Sequence, residues 1–537
     1  MNRTRQILKK SAIAAIGVSL IFSGSSTVFA SGSYQETEKA ALTKLTEGLP
    51  KSWDAYIENY KKSAAGTKSN MTLTVEDTGR ALVGALMGGV DVSWLQSISI
   101  NSDISIKDGV EAIASSVLLN DSQICDFNLF MDLANLMEYI QIPELSESYI
   151  TAPITTDSDD ESEFLSTYMT TLSDLTSMLP DSQTVSTLLD RYGNIVIDNL
   201  EEGSSVEESV SVDGISEDCT AYEGILSESA AYKIVENILT TAKDDEEIKS
   251  LFEQYSDGDD QYTQFQDLIT NTLEDMNRDE ETAETGAFSS KVWVNGDDKI
   301  VGREFSVVDG ADATPIFTWK APTDGNNTAL LVELTADDTS LTFTGSGTTA
   351  DGVLNGDYIL AIDGTETIDI NVENLETKPA KAGYYNGTFN ISFPAGDTDS
   401  TEENADIESN PLAGFGAVIK LTSDADADTS TLDLTVTTSG AALATLSISG
   451  AYGDGAEIPD FASLDKTYDA TNDNDMTSYL TEVNWDTFLA NVKEAGVPEE
   501  LATQLEEVLK AAVESASQPS EEGDATADTA DTADDAA

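Results

Sequence analysis

The chain has 537 residues, and its 99 acidic side chains against 27 basic ones give a formal charge of −72. The absence of histidine excludes His-based acid–base catalysis, Ser-His-Asp and Cys-His nucleophile systems and His-ligated metal sites, and two cysteines are too few for a four-cysteine zinc site. The acidity argues against binding to nucleic acid or to an anionic membrane surface, because both require a basic protein surface.

The first 30 residues have the pattern of a secretory signal peptide. Four basic side chains are followed by an apolar stretch of twelve residues, Ser11 to Phe22, which is too short for a membrane-spanning helix. Val28 and Ala30 occupy the small-residue positions of a cleavage site before Ser31. We therefore expect a secreted, extracellular protein with no transmembrane segment after cleavage, and the alternative is an uncleaved N-terminal anchor.

Residues 31–286 are predicted to form a mixed α+β lobe, because apolar periods of 2 and 3.6 residues alternate along this part of the chain. The predicted elements are a helix over 34–63 with a break at Pro50, a strand over 71–75, a short helix over 81–90, a β-meander over 94–142, helices over 161–200, a hairpin over 206–226, and helices over 228–280. Turns such as Asp108-Gly109 favour antiparallel hairpins in the meander.

The remaining chain divides into three predicted segments. Residues 287–470 are rich in Thr, Gly, Asp and Val, with short strands and frequent turns, which is typical of a mainly antiparallel β lobe. Two C-terminal helices are predicted over 471–514, with Asn484 as the N-cap of the first. Residues 515–537 are acidic and lack large apolar side chains, so we expect a disordered tail.

These elements predict an α+β fold of large curved antiparallel sheets, arranged as a meander or half-barrel, with amphipathic helices packed on them. The order of an N-terminal helix, meander hairpins and inserted helices resembles the LolA/LppX-like half-barrel carriers of lipids and lipoproteins. Two hairpins illustrate it, Ile106-Lys107-Asp108-Gly109 and Ile300-Val301-Gly302-Arg303-Glu304. The resemblance covers residues 34–230 and, more loosely, 287–455.

The resemblance implies that a curved sheet holds acyl chains under a helical lid. It suggests that Leu82, Leu86, Trp94 and Met131 line a ligand cavity, and the alternative is that they are ordinary core residues. The chain departs from the lipoprotein members of this group because no cysteine for lipid attachment follows the signal segment.

Two further features leave alternatives open. Cys125 and Cys219 lie in predicted strands of an exported chain, so they form either a disulfide or two buried free thiols. Four acidic clusters, Asp157–Glu163, Asp257–Asp260, Asp424–Asp428 and Asp473–Asp475, are interpreted as solvated turns. Weakly bound Ca²⁺ is the only cofactor that the composition favours, although Thr429 and Thr435 break the EF-hand pattern.

The main functional hypothesis is a secreted, non-enzymatic protein that binds or carries an apolar, lipid-like ligand in a cavity between sheet and helices. The alternative is a cell-surface structural or adhesive protein with an acidic, calcium-responsive surface. No enzyme is predicted, because the chain has no phosphate loop and no dinucleotide fingerprint, and spacing distinguishes no carboxylate pair suited to glycoside hydrolysis. The sequence makes no prediction of oligomeric state.

Overall fold

A computed structural model describes residues 32–154, 179–255, 260–276, 287–309, 312–336, 339–379, 381, 383–394 and 412–516. Several predictions concern residues outside these ranges. They are the signal segment 1–30, the first part of the predicted helices over 161–200, the acidic cluster Asp157–Glu163, most of the cluster Asp257–Asp260, and residues 517–537 of the predicted tail.

The described residues form nine helices and 21 strands. The helices are α1 (Tyr34–Ala65), α2 (Asp77–Leu86), α3 (Ser182–Asp198), α4 (Glu228–Lys243), α5 (Glu246–Tyr255), α6 (Asp260–Met276), α7 (Asp473–Glu482), α8 (Trp485–Glu494) and α9 (Glu499–Ala516). Within this part of the chain, no helix combines the length and the apolar character needed to cross a membrane.

The strands follow the chain in this order: β1 (Thr67–Val75), β2 (Ser97–Lys107), β3 (Val110–Leu119), β4 (Ser122–Asp132), β5 (Met137–Gln141), β6 (Tyr149–Pro153), β7 (Glu201–Val212), β8 (Ile215–Ser227), β9 (Ala287–Asn295), β10 (Ile300–Asp309), β11 (Asp312–Lys320), β12 (Thr323–Asp324), β13 (Asn327–Ala336), β14 (Thr339–Ala350), β15 (Val353–Ile362), β16 (Thr365–Glu376), β17 (Gly387–Ser392), β18 (Phe415–Asp424), β19 (Thr429–Thr438), β20 (Ala441–Tyr452) and β21 (Thr467–Asp469).

All of these strands belong to one large, curved and unclosed sheet. From edge to edge the order is β21, β6, β5, β4, β3, β2, β1, β20, β19, β18, β17, β16, β15, β14, β13, β11, β10, β9, β8 and β7, with β12 continuing the line of β11 beside β13. Every pair is antiparallel except β6 with β21. The prediction of an α+β fold with a large curved antiparallel sheet is thus confirmed.

The sheet runs across the predicted boundary between the two lobes. β8 pairs with β9, and β1 pairs along its whole length with β20, which comes much later in the chain. Strands from both predicted lobes therefore share one set of backbone hydrogen bonds.

Turn chemistry explains why consecutive strands pair as hairpins. Several turns place two successive residues at positive φ, which is the backbone that two-residue hairpins require. These pairs are Asp108-Gly109, Asp213-Gly214, Asp351-Gly352, Asp363-Gly364 and Ser439-Gly440. Asp and Gly tolerate this conformation at low steric cost, so the local sequence specifies each reversal.

The predicted break at Pro50 is wrong. Helix α1 continues through this residue as one helix of 32 residues. A proline inside a helix removes the hydrogen bond to the carbonyl four residues earlier, here that of Thr46. Ser186 of α3 replaces the missing donor, since its buried hydroxyl donates to the Thr46 carbonyl at 2.8 Å. Trp53 Nε1 also donates to the Pro180 carbonyl at 3.0 Å. Helix α1 is thus continuous at Pro50 and is packed there against α3 and the residue Pro180 just before it.

The C-terminal helices return to the first part of the sheet. Asn484 caps α8 as predicted, accepting a hydrogen bond from the backbone N–H of Asp486 at 3.0 Å. Asn491 Nδ2 of α8 donates to the Ile124 carbonyl of β4 at 2.9 Å, and Asn120 Nδ2 donates to the Ala495 carbonyl at 2.7 Å. These bonds join α8 to the β3–β4 hairpin.

Candidate functional site

Side chains alternate between the two faces of a sheet, so the pairing register assigns each residue to a face. On one face, apolar residues stand opposite one another across strand after strand. One row is Leu119, Ile98, Leu73, Leu446, Leu434, Ile419, Phe389 and Val372, from β3 to β16. The next is Val117, Ile100, Met71, Ile448, Leu432 and Leu421. We call this the apolar face.

Part of the apolar face is open to solvent. Along β13 to β20 and on β1 and β2, ten large apolar side chains of this face are 37–48% exposed. They are Leu334, Leu341, Ile362, Phe415, Leu432, Val436, Ile448, Met71, Leu73 and Ile98. We call this part the open section. Large contiguous apolar patches are uncommon on soluble monomers and mark surfaces that bind a ligand or partner.

The same face is mostly buried where it continues onto β8 to β11, which we call the covered section, although Val307 near the end of β10 is exposed. Val292 and Ile300 have no exposed surface, and they belong to a core with Tyr34 of α1, Val196 of α3 and Ile234 of α4. The three helices therefore cover these strands as helices cover a sheet in most α+β folds. They leave the large apolar side chains of the open section exposed.

A buried ion pair attaches α1 to the covered section. Arg303 lies on the apolar face of β10, opposite Val292 and Trp319, and its Nη1 donates to Glu38 Oε1 at 2.5 Å. Both side chains are almost fully buried. Within the described residues, Arg303 Nε and Nη2 have no hydrogen-bond partner, so Glu38 carries the whole compensation of this charge.

A second polar cluster ties the covering helices together. Asp245, just before α5, accepts hydrogen bonds from Tyr192 Oη of α3 at 2.9 Å and from the backbone N–H of Glu247 at 2.9 Å, and it pairs with Arg191. Burial acts to raise the pKa of Asp245, but the hydrogen bonds from Arg191 and Tyr192 outweigh it and lower the pKa to about 2. The carboxylate thus stays ionised and holds α3 to the α4–α5 junction.

Two of the four predicted ligand-lining residues lie on α2, at the end of β1. Leu82 is exposed, and Leu86 is 79% exposed. The helix packs through its glycines, since a Cβ at Gly79 would lie 2.1 Å from the Leu443 carbonyl oxygen and one at Gly84 would lie 2.8 Å from the backbone of Val90. Small residues therefore face the protein, and the large apolar residues of α2 face solvent.

The other two predicted residues lie elsewhere. Trp94 is partly buried in the loop before β2, where its carbonyl accepts a hydrogen bond from Asn120 Nδ2 at 2.8 Å. Met131 lies on the apolar face near the end of β4, opposite Glu111 and Glu138, at the far end of the strands from α2. The structure therefore does not bring all four side chains together, and their role in ligand binding stays a prediction.

Sequence reasoning missed the open section as a candidate site. The signal was present in the alternating apolar residues of β18, β19 and β20, which place Leu421, Leu432 and Ile448 in one row. Alternation assigned these residues to an inner face. It contains no information on whether any helix covers that face.

The opposite face of the sheet holds a polar groove of about 550 Å³ across β19, β20, β1, β2, β3 and β4. Two cross-strand rows form it. One is Thr431, Ser449, Asn70, Asn101, Ser116 and Asp126, and the other is Thr429, Ala451, Lys68, Asp103, Ala114 and Asn128. The lining is almost entirely hydroxyl, amide and charged groups with small residues between them.

The two cysteines are free thiols. Cys125 lies in β4 and Cys219 in β8, and the sheet order places many strands between them. Burial raises the pKa of both thiols, for Cys219 to about 11. Of the two alternatives derived from the sequence, the structure has the thiols unbonded.

The acidic side chains between β18 and β19 form hydrogen bonds and an ion pair within and beside their own turn. Asp424 Oδ1 accepts a hydrogen bond from the backbone N–H of Asp426 at 2.9 Å, and Asp428 pairs with Lys381 and Tyr384. Within the described ranges, no three acidic or cysteine side chains converge in a way that could hold a metal ion.

Comparison of the chain with known protein-family models finds no match, and a search of the curated proteins finds no similar protein.

Proposed function

We propose that this protein is a secreted, non-enzymatic binder or carrier of an apolar, lipid-like ligand, and that the open section of the apolar face holds the ligand. One observation carries this proposal. Ten large apolar side chains are 37–48% exposed on the same sheet face whose continuation is buried under helices.

The energetics favour an occupant for this surface. Removing apolar surface from water stabilises a complex by about 25 cal/mol per Å², so covering roughly 400 Å² contributes about 10 kcal/mol before the cost of association. An extended hydrocarbon chain fits this geometry because the apolar rows run across neighbouring strands without a charged side chain between them, for example Leu73, Leu446 and Leu434.

The charge of the protein narrows the class of ligand. With a formal charge of −72, a second copy of the chain or an anionic headgroup meets long-range repulsion. An apolar ligand with a neutral or zwitterionic headgroup avoids this repulsion. We therefore expect a neutral apolar ligand in preference to a fatty acid anion.

The test begins with native mass spectrometry of protein purified without detergent, followed by titration with the uncharged fluorescent probe N-phenyl-1-naphthylamine. The expected results are a co-purified lipid or probe binding that saturates. Finding neither a bound lipid nor saturable probe fluorescence would overturn the proposal.

A pair of double variants locates the site. Leu432 and Ile448 face each other across β19 and β20 in the open section, and Leu432→Asn with Ile448→Asn should weaken probe binding about tenfold or more, since two apolar contacts are lost. The matched control changes Thr435 and Thr445, which face each other across the same strands on the opposite face, to Asn. Equal affinities of the two double variants would place the site elsewhere and contradict the proposal.

A further inference from the structure

We propose that the polar groove on the opposite face is a second, separate binding site, and that its ligand is a neutral polyhydroxylated chain such as an oligosaccharide. The groove spans six strands, and its volume of about 550 Å³ lies in the range of small-molecule sites. It does not share side chains with the open section, because the register places the two sets on opposite faces.

The side chains of the groove are held in fixed orientations by one another. Asn70 Nδ2 donates to Asn101 Oδ1, and Thr72 Oγ1 donates to Asn70 Oδ1 at 3.1 Å. Ser116 Oγ donates to Asp126 Oδ1 at 2.6 Å. The polar groups are thus pre-oriented before a ligand arrives, which reduces the entropy lost on binding.

Hydrogen-bonding capacity remains after these internal bonds. Among the described residues, Asn101 Nδ2 and the hydroxyls of Thr431 and Ser449 have no protein hydrogen-bond partner, and Asp126 Oδ2 accepts none. Sugar hydroxyls both donate and accept, so a surface that offers amide donors, carboxylate acceptors and hydroxyl groups within one groove matches them.

The charge of the groove favours a neutral ligand. Lys68 Nζ lies 3.2 Å from Asp103 Oδ1, which leaves Asp126 as the one additional charge of the lining. This near balance contrasts with a chain that carries a formal charge of −72. A cationic ligand would be attracted more strongly to the rest of the acidic surface than to the groove. For a neutral ligand the two surfaces do not differ in this electrostatic attraction.

The floor of the groove allows close approach. Ala114 and Ala451 occupy positions within the polar row that also contains Lys68 and Asp103, so the surface is lower between the long side chains. The lining has no aromatic side chain, and recognition therefore depends on hydrogen bonds instead of ring stacking.

The test is isothermal titration calorimetry of the full chain with four defined probes: maltohexaose, cellohexaose, chitohexaose and mannohexaose. We expect saturable binding of at least one of them. Asn101→Leu removes the free Nδ2 donor and also the acceptor that orients Asn70, and Ala451→Phe fills the floor of the groove; each should weaken that binding at least about tenfold. No binding of any probe in the millimolar range would overturn the proposal.

A matched control separates a local effect from a general one. Asn390 lies on the same face of β17 and donates to Asn371 Oδ1 at 3.0 Å, but it is outside the groove, so Asn390→Leu should leave oligosaccharide binding unchanged. Binding that survives both groove variants, or that is lost equally in Asn390→Leu, would contradict the assignment. Binding of N-phenyl-1-naphthylamine at the open section should be unchanged in all three variants. The proposal for the polar groove and the proposal for the open section can therefore fail independently.

Discussion

The covered and open sections belong to one face of one sheet and differ in what lies above them. In the covered section, Val292 and Ile300 are fully buried under α1, α3 and α4. In the open section, Met71 and Ile448 point to the same side of the sheet and are both 40% exposed. Apolar alternation therefore specifies a face, and the helices decide whether that face becomes a core or a surface.

The covered section also contains features that the open section lacks. Arg303 stands among its apolar residues and is neutralised by Glu38 of α1, so this helix matches these strands in charge as well as shape. Along the open section, the pairing register places the charged residues Glu333, Asp357 and Lys420 on the opposite face of the sheet. The difference indicates that helix packing stabilises the covered section, whereas the ten apolar side chains of the open section are left exposed.

The largest expected effect comes from breaking the ion pair of the covered section. Glu38→Ala leaves Arg303 buried without a partner, and we expect the free energy of unfolding to fall by about 3–5 kcal/mol in urea titrations. Glu38→Leu combined with Arg303→Met should recover most of this loss. In the surface pair Lys510–Glu506, Glu506→Ala should have a far smaller effect, because water and salt screen the two charges. Equal effects at the two sites would show that Glu38 is not buried.

The same substitution in the two sections gives the next largest difference. Ile300→Ala creates a cavity in a packed core and should cost about 2–5 kcal/mol. Ile448→Ala, at a position that is 40% exposed, should cost about 1 kcal/mol or less. Chemical denaturation of both variants measures this, and a large cost at Ile448 would mean that the open section is covered in solution.

The cluster around Asp245, which joins the helices above the covered section, predicts that the stability of the fold depends on pH. The pKa of Asp245 is lowered from 3.8 to about 2 in the folded state, so its contribution to stability is present above the unfolded value and is lost as pH falls from about 4 to about 2. Asp245→Asn should therefore be less stable than the wild type at neutral pH, and the difference should shrink over that range. A difference independent of pH would contradict the assigned role of the carboxylate.

The smallest expected difference concerns the reactivity of the two thiols. Thiol titration of the denatured protein without reductant should count two free groups, since Cys125 and Cys219 are not bonded. In the native protein, iodoacetamide should modify the partly exposed Cys125 before the buried Cys219, whose pKa is raised to about 11. A count of zero in the denatured protein would establish a disulfide instead.

Local signals in the sequence predicted much of the fold. The turn at Asp108-Gly109 and the cap at Asn484 depend on neighbouring residues only, and both are present as predicted. At Pro50, where α1 continues, the Thr46 carbonyl accepts a hydrogen bond from Ser186, which lies more than 130 residues away, so no local pattern contains this contact. The pairing of β1 with β20, which makes one sheet from two predicted lobes, is non-local in the same way.

The candidate sites were less accessible to sequence reasoning for a related reason. The polar groove combines Asn70, Asn101 and Ser449, whose proximity exists only once β20 has paired with β1. Leu82 and Leu86 were correctly identified as apolar residues of a short helix, but the packing of Gly79 against Leu443 is what turns them outward.

Hydroxyl-radical footprinting read by mass spectrometry tests the central comparison most directly, because it measures side-chain exposure on both sections in one experiment. We predict that Met71, Leu73 and Ile448 are oxidised readily in the free protein and become protected with N-phenyl-1-naphthylamine, while Val292 and Ile300 are protected throughout. Equal protection of both groups in the free protein, or no change with the probe, would contradict the account.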